Sequence, residues 1–380
     1  MYTTLLCIIF CVVSLPTTTE AEVFLTSNAL SRGNAKGLGK FRKHIGTYLN
    51  VSGKLTHLVE RQGACVLACL RNESCFSLNL AKTPDDKSKF LCEVLSTDIY
   101  NSSSKIQNNT SWTLYSIDNP CFHYPCRNNG RCQARYHDDN YTCTCTAAYK
   151  GRNCEEYVPP MSCKDILDRG ESKGSGGYYI DPERKGEGLF PVYCDMTNEG
   201  GGWMMTLNLT YEASRAAFTP EESIRSLSKF RDGYMGITSN AMGLLQSLTF
   251  FTQMRFFCHK QAVGRTLHIL TTPDSKGKAV VDYFSAKTDI LPSACSSFTE
   301  GAGNNALLTG RCHRWGRDSS GAAFVGLWGH ASKPNQVWRM YGHTMYEAYM
   351  YHWVLNNGLY NCDDKNDAGK DGDSWMIFIR

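Results

Sequence analysis

The densest run of metal-seeking side chains lies near the C-terminus, in Asn361-Cys362-Asp363-Asp364-Lys365-Asn366-Asp367-Ala368-Gly369-Lys370-Asp371-Gly372-Asp373. Asp363, Asp364, Asp367, Asp371 and Asp373 offer hard oxygen ligands, and the neighbouring Asn and Gly residues suit the loop chemistry that calcium takes. The spacing is not that of an EF-hand: Ala368 falls where a third ligand belongs, and no Glu closes the loop. Lys365 and Lys370 dilute the charge. Two readings stay open, a calcium loop, with calcium the one cofactor the residues suggest, or a solvated turn ahead of a last strand.

Just before it runs a band of rings: Trp328, His330, Trp338, Tyr341, His343, Tyr346, Tyr349, Tyr351, His352 and Trp353. Aromatic faces stack on the apolar faces of sugars and on cations, so Trp338, Tyr341 and His343 are candidate ligand-binding residues, beside the plainer reading that the rings fill a β-rich core. His330, His343 and His352 lack any zinc-ligand spacing.

Catalytic signatures are missing. There is no Gly-x-Ser-x-Gly elbow, no His-Glu-x-x-His helix and no phosphate-cradling glycine loop opening a helix. Gly200-Gly201-Gly202-Trp203 is a turn, and the cysteines are expected to be oxidised, which removes a thiolate nucleophile. The expectation is that the protein is not an enzyme.

The elements that would carry these residues follow from the cysteines. The 380-residue chain has 18, of which Cys7 and Cys11 sit in an apolar leader, Leu5 to Val13, that ends in Thr19-Glu20-Ala21. That is the pattern of a signal peptide over residues 1–21, although its start carries no Lys or Arg. An even set then remains in short clusters, as in disulfide frameworks of oxidising compartments. No later window is apolar for the roughly 18 residues a membrane helix needs, so the mature protein is expected to be released. Asn50, Asn72, Asn101, Asn108, Asn109, Asn140 and Asn208 each stand in an Asn-x-Ser/Thr triplet and are candidate glycosylation sites. The net charge of +4 excludes a strongly acidic mineral-binding polyelectrolyte and gives no reason to expect nucleic acid. Residues 22–40 form a basic, flexible arm that includes Arg32, Lys36 and Lys40, with Arg42 and Lys43 following it.

Cysteine spacing cuts the rest into three modules. In residues 41–117, Leu55 to Leu70 reads as an amphipathic helix with Leu58, Cys65 and Cys69 near one face, followed by strand-like runs at 75–80, 90–95 and 112–115. This pattern resembles the PAN/apple family, a helix cradled by a curled sheet, and the resemblance implies bridges Cys65–Cys92 and Cys69–Cys75. In residues 118–155 the series Cys121, Cys126, Cys132, Cys143, Cys145, Cys154, with Gly130, Tyr141 and Gly151 between, resembles an EGF-like domain. That resemblance implies 121–132, 126–143 and 145–154, without the acidic cluster of calcium-binding relatives. A proline linker, 156–161, leads to residues 162–380. There Cys163, Gly176-Gly177-Tyr178-Tyr179, Cys194-Asp195-Met196 and Gly200-Gly201-Gly202-Trp203 resemble the opening of a fibrinogen-like C-terminal domain, divergent after about residue 206. The likeness implies Cys163–Cys194. Cys258, Cys295, Cys312 and Cys362 are left with three possible pairings.

The expected fold is therefore multi-domain, disulfide-rich and β-dominated, with α+β modules at both ends and a small EGF-like module between. The order of modules resembles that of secreted cnidarian matrix proteins, the skeletal organic matrix proteins of stony corals. That resemblance implies a secreted, glycosylated, non-enzymatic component of a calcified extracellular matrix whose partners are matrix proteins, glycans or calcium carbonate. A calcium-dependent, lectin-like recognition protein using the fibrinogen-like domain is the alternative.

Overall fold

The computed structural model describes residues 30–33, 36–136, 138, 140–186, 188–318, 320–330, 339–356, 358–365 and 369–380. The expected signal peptide, residues 22–29, Trp338 and Asp367 thus lie outside the described residues. The chain divides into two compact units, Met1–Tyr157 and Val158–Arg380.

The first unit begins with a hairpin of β1 (Leu30–Gly33) and β2 (Lys36–Gly39). Then come β3 (Phe41–Leu49), β4 (Leu55–Val59), α1 (Gln62–Arg71), β5 (Ser77–Ala81), β6 (Phe90–Leu95) and β7 (Ile106–Ile117). The strands form an antiparallel sheet in the order β3-β7-β5-β6-β4. The helix expected over residues 55–70 is half strand. Thr56 and Val59 are β-branched, which favours a pleated surface, and Leu55–Val59 finds a full antiparallel partner in Phe90–Val94. Only from Gln62 do apolar residues recur at helical spacing, and Cys65, Val66, Cys69 and Leu70 bury against Leu78, Leu80, Cys92 and Val94.

The junction expected at 117/118 is crossed by side chains. Asp118 pairs with Arg42 at 2.5 Å, whose guanidinium lies 3.3 Å from the Phe122 ring centre. Tyr136 stacks on Phe76 with centroids 4.7 Å apart and donates its hydroxyl to Asp98 at 2.6 Å. Burial, followed by the charge of Asp98, pushes the Tyr136 phenol far above its ordinary pKa. Two small ribbons complete the unit, β8 (Arg131–Arg135) with β9 (Asn140–Thr144) and β10 (Tyr149–Lys150) with β11 (Glu156–Tyr157). The expected linker 156–161 is not a free spacer: its first two residues are strand, while Val158 and Pro160 carbonyls accept bonds from Arg169 and from the Asp181 amide.

The second unit opens with α2 (Cys163–Asp168), capped by Ser162, whose hydroxyl accepts from the Asp165 amide. It continues through β12 (Gly176–Ile180), β13 (Phe190–Asp195), β14 (Trp203–Thr210), β15 (Tyr234–Gly236), α3 (Ser239–Thr249), β16 (Met254–Lys260), β17 (Arg265–Thr271), α4 (Ser275–Phe284) and β18 (Phe298–Glu300). The hairpin strands β19 (Gly342–Glu347), β20 (Tyr351–Asn356) and β21 (Leu359–Asp364) form their own sheet, and β22 (Ser374–Ile379) ends the chain. The main sheet runs β12-β13-β14-β22-β16-β17-β18, with β15 beside β14. Trp203, Phe256, Phe284, Trp315, Trp328, Trp353 and Trp375 are fully buried in one core.

Trp203 begins its strand where the sequence places it. Gly201, at φ +71°, makes the approach possible, because a Cβ there would lie 2.2 Å from the Met196 carbonyl oxygen. Above Trp203 sit two guanidiniums, Arg255 at 5.2 Å and Arg380 at 4.4 Å from the ring centre. Arg255 is almost completely buried and pairs with Asp195 at 2.7 Å. Burial is the largest influence on Asp195 and opposes its charge, yet the Arg255 and Asn198 hydrogen bonds together bring it down to about 2.

A carboxyl whose pKa is depressed on folding stabilises the fold above its unfolded value, about 3.9, and loses that contribution as pH falls through the folded value. Asp195→Asn should therefore cost about 3–5 kcal/mol at neutral pH, because Arg255 stays buried without its counter-charge. Denaturant titrations of wild type and variant should converge between pH 4 and 2. A gap that persists unchanged at pH 2 would mean the pair contributes nothing through its ionisation.

Candidate functional site

Among the described residues the acidic run does not assemble as a ligand set, and Asp367 lies outside them. Asp363 is fully buried in β21, where its carboxylate accepts from the Leu307 and Leu308 amides, both at 2.7 Å, and pairs with Arg265 at 3.3 Å. Burial raises its pKa in spite of these donors. Asp364 accepts from the Cys362 amide, and Asp373 from those of Gln261 and Lys370. Asp371 is exposed and caps the Ala213 amide. Between Asp364 and Asp373 lies the ammonium of Lys260, at 3.2 and 3.1 Å, which also donates to the Tyr360 carbonyl at 3.0 Å. A protein cation thus occupies the space between two of the candidate ligands. Among the described residues no group of three or more His, Cys, Asp or Glu side chains is placed to hold a metal ion.

The candidate ring pocket also comes apart. Tyr341 is fully buried, packs edge-on against Phe218 and donates to the Ile237 carbonyl at 2.6 Å, so it is core and cannot meet a ligand. Trp328 and Trp353 are core as well. His343 is half-buried within a ring cluster, 5.8 Å from His330, 4.9 Å from Tyr346 and 5.2 Å from His352. Burial first, and Lys365 second, lower the His352 pKa. Burial pushes the Tyr346 phenol up to about 12.

What the structure brings to the surface beside that cluster is a row of cations on rings. The tight 3-10 stretch Thr309–Arg314, kinked at Arg311, brings Arg311 and Arg314 to one buried carboxylate, Glu347 at the end of β19. Arg311 lies 5.3 Å from the Tyr351 ring centre and Arg314 4.6 Å from that of Phe324. Arg317 donates to the Tyr349 hydroxyl at 3.5 Å, and Lys365 stands 5.8 Å from the same ring. Tyr349 is 66% exposed, Met350 44% and Phe324 42%. The sequence reading missed this group. Its signal was there in the three-residue spacing Arg311, Arg314, Arg317, but Glu347, Tyr349 and Tyr351 arrive from the β19–β20 hairpin some 35 residues later.

All sixteen cysteines outside the leader are paired. Besides the bridges at 65–92, 69–75, 121–132, 126–143, 145–154 and 163–194, the structure joins Cys258 to Cys362 and Cys295 to Cys312. The candidate glycosylation sites differ in environment. Asn108 is exposed on β7, and Asn50 lies exposed just after β3. Asn72 and Asn109 turn their side-chain oxygens to nearby amides, whereas Asn101 gives its side-chain nitrogen to Asp98. Asn140 accepts from Arg152. Asn208 does not fit: it lies in β14 between two strands, and its side-chain nitrogen donates to the Phe230 carbonyl at 2.8 Å.

Residues 159–219 match the family model of the fibrinogen beta and gamma chains, C-terminal globular domain. Fibrinogen-like protein A of Apostichopus parvimensis is 50% identical over 46 residues, 12% of this chain and 16% of that protein. A neurexin-like receptor 1 of Caenorhabditis elegans is 28% identical over 113 residues, 30% of this chain and 8% of the relative. The matched segments thus span only a small part of either relative's length. Among solved structures, the fibrinogen-like globe domains of human ANGPTL2 and ANGPTL6 are 14% and 16% identical, each covering 58% of this chain and 99% or 95% of their own, with TM-scores of 0.30 and 0.29. The family match supports a fibrinogen-like domain at the C-terminal end of a disulfide-rich, β-dominated protein. Among the described residues no helix is long and apolar enough to cross a membrane.

Two outcomes follow from this geometry. Lys260→Met should destabilise the second unit by about 3–5 kcal/mol, since it leaves Asp364 and Asp373 facing each other without their cation. A denaturation midpoint equal to wild type would show that some other cation serves the site. Glycopeptide mapping of the chain expressed through a secretory pathway should find glycan on Asn50 and Asn108 and none on Asn208; an occupied Asn208 would contradict its placement in the sheet.

Proposed function

We propose that the chain is a secreted, non-enzymatic matrix and adhesion component, and that its setting is the organic matrix of a calcified skeleton. On this reading the first unit is a PAN/apple-like module joined to an EGF-like one, and the fibrinogen-like unit presents a recognition face to an extracellular partner. The observation that carries the reading is the pairing of every cysteine outside the leader, with bridges in both units. Such a set forms and persists only in an oxidising compartment. Exposed rings flanked by guanidiniums at one surface favour adhesion over a purely structural filler, because the solvation of those rings is lost gainfully only on contact.

The module reading draws on the fold itself. A helix pinned to a sheet by Cys65–Cys92 is what the PAN/apple resemblance implies, and the pairings 121–132, 126–143 and 145–154 follow the order that the EGF-like resemblance implies.

The full chain expressed in a secretory cell line should appear in the medium and in the detergent-insoluble layer left on the dish. Incubated with growing calcium carbonate, it should stay with the organic residue after decalcification. Recovery only inside cells would overturn the secreted reading, and complete recovery in the soluble medium would overturn the matrix reading. Cys258→Ser/Cys362→Ser opens a bridge of sequence separation 104. The loss is about 4–5 kcal/mol on loop-entropy grounds, and secreted yield should fall several-fold.

A further inference from the structure

A cavity of about 500 Å³ in the second unit is lined by residues such as Lys164, Asp168, Phe250 and Arg380, and none of the row's cations lines it. The cation row is instead a surface, and its composition specifies a ligand more closely than the cavity does. Arg311, Arg314, Arg317 and Lys365 supply four positive charges, and among the described residues the carboxylate paired with them is the interior Glu347. Among the described residues, the carboxylates adjoining Arg317 and Lys365 in sequence are turned elsewhere. Asp318 accepts from Ser320 and Ala322 within its own turn, and Asp364 faces Lys260. The exposed rings of Tyr349 and Phe324 lie against these cations.

We propose that this face binds a sulfated polysaccharide. The inference rests on the extracellular reading above and adds the ligand class. Guanidinium forks match tetrahedral oxyanions bidentately and are weakly hydrated, so they exchange water for sulfate at low cost. Exposed rings add flat apolar area for the pyranose faces between sulfates. A row of charge without a pocket suits a polymer that repeats its anions, not a small anion that must be enclosed.

The row is also held ready. Glu347 fixes Arg311 and Arg314 at one end, and Tyr349 fixes Arg317. Less rotamer freedom is therefore lost when the polymer arrives.

The test uses the purified full-length glycoprotein on immobilised heparin, with chondroitin sulfate and fully desulfated heparin as soluble competitors. Arg317→Gln/Lys365→Gln is the informative variant, because neither residue supports the buried Glu347, and Tyr349→Ala removes the exposed ring. Arg32→Gln/Lys36→Gln/Lys40→Gln tests the basic arm near the N-terminus. Wild type should bind with a steep salt dependence, and Arg317→Gln/Lys365→Gln should bind roughly tenfold more weakly with a shallower slope. Tyr349→Ala should weaken binding at unchanged slope, and the arm variant should match wild type.

Sulfated competitors should displace the protein, while desulfated heparin and sodium sulfate at matched ionic strength should not. The proposal is overturned if the face variant, with native near-ultraviolet circular dichroism, elutes at the wild-type salt concentration, or if the arm variant carries the loss. It is equally overturned if desulfated heparin competes as well as heparin, if sodium sulfate alone displaces the protein, or if phosphatidylserine vesicles capture the protein and heparin does not. These outcomes are independent of secretion and matrix retention, so the ligand assignment can fail while the matrix reading stands.

Discussion

The second unit depends on its last strand. β22 lies in the middle of the main sheet, paired along its length with β14 on one side and β16 on the other. Until residues 374–379 are in place, the sheet is two separate halves, β12 to β14 and β16 to β18, and the core between them has no floor. Trp375, Ile377 and Ile379 then point into that core, while Arg380 reaches back to the Glu199 and Gly201 carbonyls and over Trp203. A sheet closed by its most distant strand is costly in loop entropy and must be rewarded by many contacts at once. The bridge Cys258–Cys362 links β16 to β21, just upstream of that strand, and shortens the path it must search.

The two units solve the stability problem differently. The first has small clusters, one of eleven buried residues and one of three, and carries five of the eight bridges. A chain segment that cannot bury enough apolar area relies on cross-links that restrict the unfolded state. Its polar interior is correspondingly specific: Asn79, fully buried on β5, exchanges two hydrogen bonds with the Leu49 backbone and a third with Glu93. The second unit has a continuous core with five fully buried tryptophans and needs fewer bridges.

How much of this was legible in the sequence follows from range. Local signals survived: strands near 77–81 and 90–95 and the glycines ahead of Trp203 are all set by residues within a few positions. The helix expected from Leu55 failed for a non-local reason: Leu58 falls at helical spacing with Cys65 and Cys69, but the open edge of β6 took Leu55–Val59 as a strand partner. The acidic run misled in a similar way. Its carboxylates are dense in sequence, but β21 buries Asp363 under the Leu307 amide while Lys260 arrives from β16 to sit between Asp364 and Asp373. Neither donor lies within fifty residues of the run, so no local pattern could have announced them.

The ring band shows the same division between core and surface, and explains why cations ended up on top of it. On β19 and β20, Met345, Trp353 and Leu355 pack into the core, whereas His343, Tyr351 and His352 stay partly open to solvent. An outward aromatic ring on such a hairpin remains partly wet unless something covers it. Here the cover is guanidinium: Arg311 lies over Tyr351 of the hairpin, as Arg314 lies over Phe324 outside it. That choice keeps the surface soluble while leaving flat apolar area at its margin. Glu347 makes the arrangement possible, because a fully buried carboxylate in this position would be prohibitive without two guanidiniums, and two adjacent guanidiniums would repel without the carboxylate. The charge that satisfies the interior is therefore the same charge that faces the solvent, and any anion reaching this surface meets donors whose geometry the core has already fixed.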